Sequence, residues 1–257
     1  MEIFFIALAA FFTAILTFFS GFGLGTILAP VFMIFFPVDL AIALTAVVHF
    51  FNNILISLMM GKMADKRILV SFGIPAIIFS LAGAWLLLNI SAQPQLFTYS
   101  IGSKTAVVTP LKITIAILLI VFAMMDIIPR LKQLNFGKDK MAFGGMISGF
   151  FGGLSGHQGA LRSAFLIKAG LSKDAFIATA AVLSVMIDIT RLSVYSTHFS
   201  KLQLHQNISY VIAATIAAIT GSLLGKRLLK KVTMSFVQAS VAVLLILVSL
   251  ALGAGLI

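Results

Sequence analysis

Ten apolar segments take up most of this chain, at residues 3–19, 24–36, 40–60, 68–89, 106–128, 141–154, 160–171, 174–197, 206–228 and 232–256. A water-soluble fold of this length has no core large enough to hide them. A bilayer needs no such core, because about 20 apolar residues make one crossing. Charged residues are 10% of the 257 and hydrophobic residues 61%, against roughly a quarter charged in soluble domains. The chain therefore reads as a polytopic membrane protein with no separate soluble domain. Its opening, Met1-Glu2-Ile3-Phe4-Phe5, has neither the basic n-region nor the small-residue cleavage site of a signal peptide, so the first segment is expected to be retained.

Lys and Arg number 18 against 7 Asp and Glu. They stand in short clusters between apolar runs, the pattern of membrane topology signals and not of a nucleic-acid-binding face. There is no cysteine, so disulfide and thiolate chemistry are excluded. No metal-ligand spacing, Walker loop or protease motif occurs. The chain reads as a non-enzyme without metal or cofactor, and an ATP-driven mechanism would need a partner subunit.

Six segments are long enough to span alone: 40–60, 68–89, 106–128, 174–197, 206–228 and 232–256. The other four form two short pairs, 3–36 and 141–171, each broken at a glycine-rich tip. The first tip is Ser20-Gly21-Phe22-Gly23-Leu24-Gly25-Thr26, and the second is Gly152-Gly153-Leu154-Ser155-Gly156-His157-Gln158-Gly159-Ala160. Glycine costs a helix about 1 kcal/mol per residue, so each pair is expected to be a broken-helix hairpin. The order of hairpin and three spans occurs twice, in 1–137 and 138–257. A shift of 134 positions lays Gly25 on Gly159, Ala41 on Ala175, Thr45 on Thr179, Ala46 on Ala180 and Val48 on Val182.

Charge tests this topology. If both hairpins return to the side they enter from, 13 basic residues between Lys62 and Lys231 face one side, and Lys104, Lys112, Arg191 and Lys201 face the other. Fusing each pair into one span evens the split to 9 and 8. The positive-inside rule therefore favours a hairpin in the second half. The repeat and the excess length of 3–36 extend that reading to the first half. A hairpin plus three spans crosses an odd number of times, so the halves must be inverted. The expected fold is an all-α integral membrane protein of two inverted repeats, each a broken-helix hairpin plus three transmembrane helices, with both termini outside. Such repeats with interrupted helices mark secondary transporters, whose sites lie near the midplane at the breaks.

Candidate binding residues follow from that geometry. Each tip would place helix N-termini inside the membrane, where unsatisfied N–H groups and the positive end of the macrodipole suit an anion. The first tip offers Ser20, Gly21, Phe22, Gly23, Gly25 and Thr26; the second offers Ser155, Gly156, His157, Gln158 and Gly159. The competing reading is that these glycines only let helices pack closely. Arg162 follows the second tip, deep in the membrane, and its planar fork suits an oxyanion such as sulfite, sulfonate or carboxylate. A structural cap on backbone carbonyls is the alternative. His49, Asn52 and Asn53 lie mid-span, with His49 and Asn52 on one face, and either join the site or only bond neighbouring helices. Thr45 and Thr179 could add hydroxyls from both halves. Asp188 and Arg191, spaced i, i+3, are either a local neutralising pair or a proton or ion relay, and His157 could also carry a proton. The ladder Ala213, Ala217, Gly221, Gly225 reads as a packing face.

At the two tips the chain resembles the TauE/SafE sulfite exporter family, also called the toluene sulfonate uptake permease family. The resemblance covers nearly the whole chain. It rests on the first tip with Pro30 beyond it, on Gly149-Phe150-Phe151-Gly152-Gly153-Leu154-Ser155-Gly156-His157-Gln158-Gly159-Ala160, and on Gly221-Ser222-Leu223-Leu224-Gly225-Lys226-Arg227. Members often carry a denser glycine triplet followed by proline in each half. Here Ala164 stands where the second proline would fall, and His157-Gln158 interrupt the glycines. The resemblance implies transport of sulfite, thiosulfate, sulfoacetate or another organosulfonate across the bacterial inner membrane, driven by an ion gradient. The expected partners are thus a small sulfur oxyanion, a coupling proton or sodium ion, and the lipid bilayer, with a homodimer left open. An anion channel and a non-transporting membrane assembly protein are the alternatives.

Overall fold

The computed structural model describes residues 1–20, 23–102, 104–128, 138–198, 204–228 and 234–257. Its helices are α1 (Glu2–Ser20), α2 (Leu24–Phe35), α3 (Val38–Met60), α4 (Lys66–Ser71), α5 (Gly73–Ser91), α6 (Pro110–Ile127), α7 (Met141–Ser155), α8 (Gly159–Leu166), α9 (Lys173–Ser196), α10 (Ile208–Leu228) and α11 (Met234–Gly253). Among the described residues four helices are long and apolar enough to cross a membrane, within 38–63, 66–91, 173–196 and 208–225. The last of these is α10, and 66–91 joins α4 to α5 through Phe72, whose N–H bonds Ile68 O and whose carbonyl accepts from Ala76. Large apolar side chains point outward along these rods, among them Phe12, Ile78, Trp85, Ile216 and Leu247, while Thr, Ser, Asn, His, Arg and Asp side chains are buried within. An apolar outside and a polar inside is the arrangement lipid imposes, since no water is present to reward the reverse.

Helix ends are set by local chemistry. Asp65 accepts from Arg67 N and Ile68 N at the start of α4, and Ser172 accepts from Ala175 N at the start of α9. Both are N-caps that satisfy orphan donors. The segment expected to span from 106 begins differently. Phe97–Ile101 and Lys104–Val108 pair as an antiparallel ribbon, with Phe97 opposite Val108, and α6 starts only at Pro110. The β-branched run Val107-Val108-Thr109 suits a strand. Pro110 then fits the first helical position, where its missing N–H costs nothing, and Thr109 caps Lys112 N. The chain end closes over this ribbon through Val107 N to Gly255 O at 3.1 Å.

Packing between rods needs close backbone approach, because apolar burial drives nothing between helices already in lipid. Helices α5 and α7 run side by side in the same direction: Gly145 lies on the Phe72 carbonyl, Gly149 on Ala76 and Gly153 on Ser80, and a β-carbon at any of them would overlap its neighbour. Helices α1 and α10 also run parallel. Gly221 lies on the Phe11 carbonyl, and Tyr210 at the start of α10 donates to Glu2 at the start of α1. The expected α10 ladder is rotated slightly: Ala214, Ala218, Gly221 and Gly225 are buried, while Ala213 and Ala217 are half-buried. In contrast, α3 packs antiparallel on α9, with Gly61 against Val182 and Asp65 N donating to Thr179.

The hairpins enter from opposite faces of this bundle. Phe36, just past α2, stacks edge-on against Tyr210, which itself holds Glu2, so α1 begins and α2 ends at one face. Met141 at the start of α7 shares a cluster with Phe165 and Leu166 at the end of α8 and with Ile68, so α7 begins and α8 ends at the other.

Candidate functional site

The two tips meet inside the bundle. Gly23 takes φ 134° just before α2, and Gly156 takes φ 80° at the end of α7. These are left-handed backbone positions that favour glycine. A β-carbon placed on Gly25 would stand 3.1 Å from the Gly156 carbonyl oxygen, 3.5 Å from His49 Cδ2 and 3.8 Å from His49 Nε2. His49 is halfway along α3, a helix long and apolar enough to cross a membrane, so this junction is level with the middle of that helix. The N-cap residues of α2 and α8, Gly23 and Gln158, make no side-chain cap hydrogen bond. Gly21 and Phe22 lie outside the described residues, as does the Ser20 side chain.

Behind the second tip lies a buried charged cluster. Asp188, fully buried on α9, is its centre. Oδ1 accepts from Arg191 Nε at 2.9 Å and from Gln158 Nε2 at 3.3 Å. Oδ2 lies 2.6 Å from His49 Nδ1. Arg191 also reaches the Gly152 carbonyl through Nη1 at 3.4 Å, and a β-carbon on Gly156 would stand 2.9 Å from that same Nη1. Arg162, 1% exposed, donates from Nη1 to Ser184 Oγ at 2.7 Å and to Gln158 Oε1 at 3.3 Å. Gln158 thus bridges the second tip, Arg162 and Asp188, and its own carbonyl is held by Ser148 Oγ at 3.0 Å. The Tyr195 hydroxyl donates to the Gly153 carbonyl. Among the described residues, Arg162, Arg191 and Asp188 are the charged side chains buried at nine-tenths or more, so the cluster carries +1 with its histidines neutral.

His157 is held by three groups. Nδ1 donates to the Ser155 carbonyl at 3.0 Å. Its ring stacks on Phe122 of α6 with centroids 5.3 Å apart and planes within 5°. The Thr26 backbone of the first tip is close enough to interact with it, yet Nε2 is buried without completing a hydrogen bond. Pro30 lacks an N–H, so the Thr26 carbonyl loses its usual partner in α2 and faces the second tip.

The sequence-derived residues divide accordingly. Gly25, Thr26, His49, Gly156, His157, Gln158, Arg162, Asp188 and Arg191 belong to one contiguous buried region. Among the described residues Arg162 bonds the side chains of Ser184 and Gln158. Asp188 and Arg191 pair locally, as their spacing allows, and also reach beyond each other. Asn53 Nδ2 donates back to the His49 carbonyl at 2.7 Å, and Asn52 Oδ1 accepts from Ser222 Oγ on α10 at 2.8 Å. Thr45 Oγ1 bonds Ala41 O within its own helix, and Thr179 Oγ1 serves the Asp65 N–H near the membrane face. Sequence reasoning missed the His49–Asp188 contact across 139 positions and the roles of Phe122, Ser184 and Tyr195. A lone carboxylate in mid-span is a signal that a partner must exist, whereas Phe122 is one of 24 phenylalanines and gives no signal.

A family model described as sulfite exporter TauE/SafE matches residues 6–252. No curated protein and no solved structure matches the chain.

Proposed function

Because the chain belongs to the TauE/SafE sulfite exporter family, and so to a family of membrane transporters and not enzymes, we propose that it is a secondary transporter of a small sulfur oxyanion (sulfite, thiosulfate or an organosulfonate) in the bacterial inner membrane. The anion binds at mid-membrane between the two tips, met by first-turn N–H groups of α2 and α8 and by Arg162. The observation that carries this reading is the meeting of Gly25 and Gly156 beside a buried cluster of net positive charge. A buried cationic cluster without a resident anion is costly, and an oxyanion at two uncapped N-termini offsets it.

The pairing of helices supports two inverted repeats, 1–137 and 138–257. A two-fold axis in the membrane plane would map α1 on α7 and α5 on α10. It would turn the parallel α5–α7 contact into the parallel α1–α10 contact and leave the antiparallel α3–α9 pair mapped on itself. Alternating access would then be a rocking of the halves that parts the tips towards one face at a time. Lys62, Lys66, Arg67 and Lys173 sit at the face where α7 begins, which the positive-inside rule makes cytoplasmic, with both termini outside. Tips in backbone contact favour a transporter over an open channel.

Proteoliposomes preloaded with one sulfur anion should show counterflow of a labelled second anion from the set sulfite, thiosulfate, sulfoacetate and taurine. Conductive flux that never exchanges would indicate the channel, and neither flux nor binding would leave an assembly protein.

A further inference from the structure

We infer that His49 is the proton-carrying residue of this transporter, that the proton and not sodium is the coupling ion, and that His49 takes its proton together with the anion; this rests on the transport reading above. The His49 side chain is 5% exposed as a residue and sits between the carboxylate and the tips. Asp188 Oδ2 can only accept, so the nitrogen 2.6 Å away from it, Nδ1, must carry a hydrogen. That fixes the tautomer. The second nitrogen, Nε2, lies on the edge that faces the junction of Gly25 and Gly156. A neutral ring has a lone pair there, and a protonated ring has an N–H. Proton gain and loss therefore take place on the atom nearest the proposed anion, while Asp188 acts as a positioning residue that holds the ring through Nδ1.

The groups linked to His49 support the coupling. Asp188 of α9 contacts it directly, Arg191 binds that carboxylate, and Gln158 of the second tip joins the carboxylate to Arg162 of α8. The described residues of α2 and α10 place no charged side chain against it: α2 has none, and α10 offers Ser222 at this level through Asn52. Counting the described residues, the cluster is +1 with His49 neutral and +2 with it protonated. Without an anion the second charge adds to a buried excess of the same sign, which low dielectric makes costly. With a dianion at the tips the protonated cluster is balanced. Anion and proton then each raise the affinity for the other by the same factor, as linkage requires. The step moves one proton from water on one side to Nε2, across with the anion, and off to water on the other side. No bond of the anion breaks and no electrons move.

Thiosulfate is the test probe, because its charge stays constant through neutral pH, so any pH dependence belongs to the protein. Purified full-length protein should take up about one proton per thiosulfate bound. Its affinity should fall as pH rises, approaching tenfold per pH unit for a single linked proton, and should be insensitive to sodium. In His49→Gln, which keeps a polar group of similar reach, the pH slope should vanish at whatever affinity remains. Thiosulfate binding with no proton uptake, a slope kept in His49→Gln, or dependence on sodium would each overturn the proton role and leave the transport reading intact. The proton-uptake measurement needs only the wild-type protein, so a poorly folding variant does not decide the matter. If the wild type binds and exchanges no anion of the set, the transport reading fails first and this inference falls with it.

Discussion

The two tips have the same backbone design and opposite chemistry. Each starts a helix whose N-cap residue makes no side-chain cap bond, and each uses one left-handed glycine, Gly23 before α2 or Gly156 after α7. The described part of the first tip carries no charged group, and its buried polar side chain is Thr26. The second is packed with His157, Gln158 and Arg162 and backed by Asp188 and Arg191. The proposed repeat would account for the shared backbone, and the proposed anion site for the divergence. A single small anion needs one charge partner and two sets of N–H groups, and a second arginine cluster facing the first would add repulsion with no second anion to offset it. The departure from proline at Ala164 falls in the same place. Pro30 frees a carbonyl in α2, where a neutral tip tolerates it, whereas α8 keeps a regular turn that sets Arg162.

The largest effect expected from breaking this comparison is at the left-handed glycines. Gly156→Val forces a branched side chain into a φ of 80° and against Arg191 Nη1, and Gly23→Val meets a φ of 134°. Both should abolish anion binding in protein that still inserts, as read by binding on detergent-purified material. Normal transport in both would reduce the tips to packing features. Next comes Arg162. Arg162→Lys keeps the charge and loses the fork, and Arg162→Gln loses both. A charge-assisted hydrogen bond contributes about 1.5–3 kcal/mol, so affinity should fall roughly tenfold to a hundredfold, with the glutamine variant weaker than the lysine. Melting temperature measured alongside separates this from a purely structural role, which would lower stability and spare affinity. Gly25→Ala should have a smaller effect. Its β-carbon meets the Gly156 carbonyl at 3.1 Å, and mild overpacking costs about 1 kcal/mol, or roughly fivefold in affinity. The smallest is Phe122→Leu, which removes the ring under His157; such pairs contribute about 0.5–1.5 kcal/mol, so a loss of a few-fold is expected.

Much of this was legible in the chain itself. Apolar runs placed four of the spans because about 20 apolar residues make a crossing, and glycine clusters marked the breaks because glycine costs a helix stability. The start of α6 was not legible from hydropathy alone, since Val107 and Val108 are as apolar in a strand as in a helix; only Pro110 gave the boundary. The site was legible as a set of residues and not as a network. Arg162, Asp188 and Arg191 stand out because charges are rare in spans, but spacing joins only Asp188 to Arg191. That His49 of the first half closes on Asp188 of the second depends on the antiparallel crossing of α3 and α9, which no local pattern encodes.

Thr26 offers the most direct test that the anion occupies the tip junction. It is 5% exposed, lies in the first turn of α2 beside Gly25, and is the polar side chain of the neutral tip. The chain has no cysteine, so Thr26→Cys provides a single labelling site. In proteoliposomes, a small thiol reagent should modify it at a rate that sulfoacetate slows, with half-protection at the concentration that half-saturates sulfoacetate exchange, and modification should stop exchange. Saturable sulfoacetate exchange with no protection at this position, and full exchange after it is modified, would place the anion elsewhere.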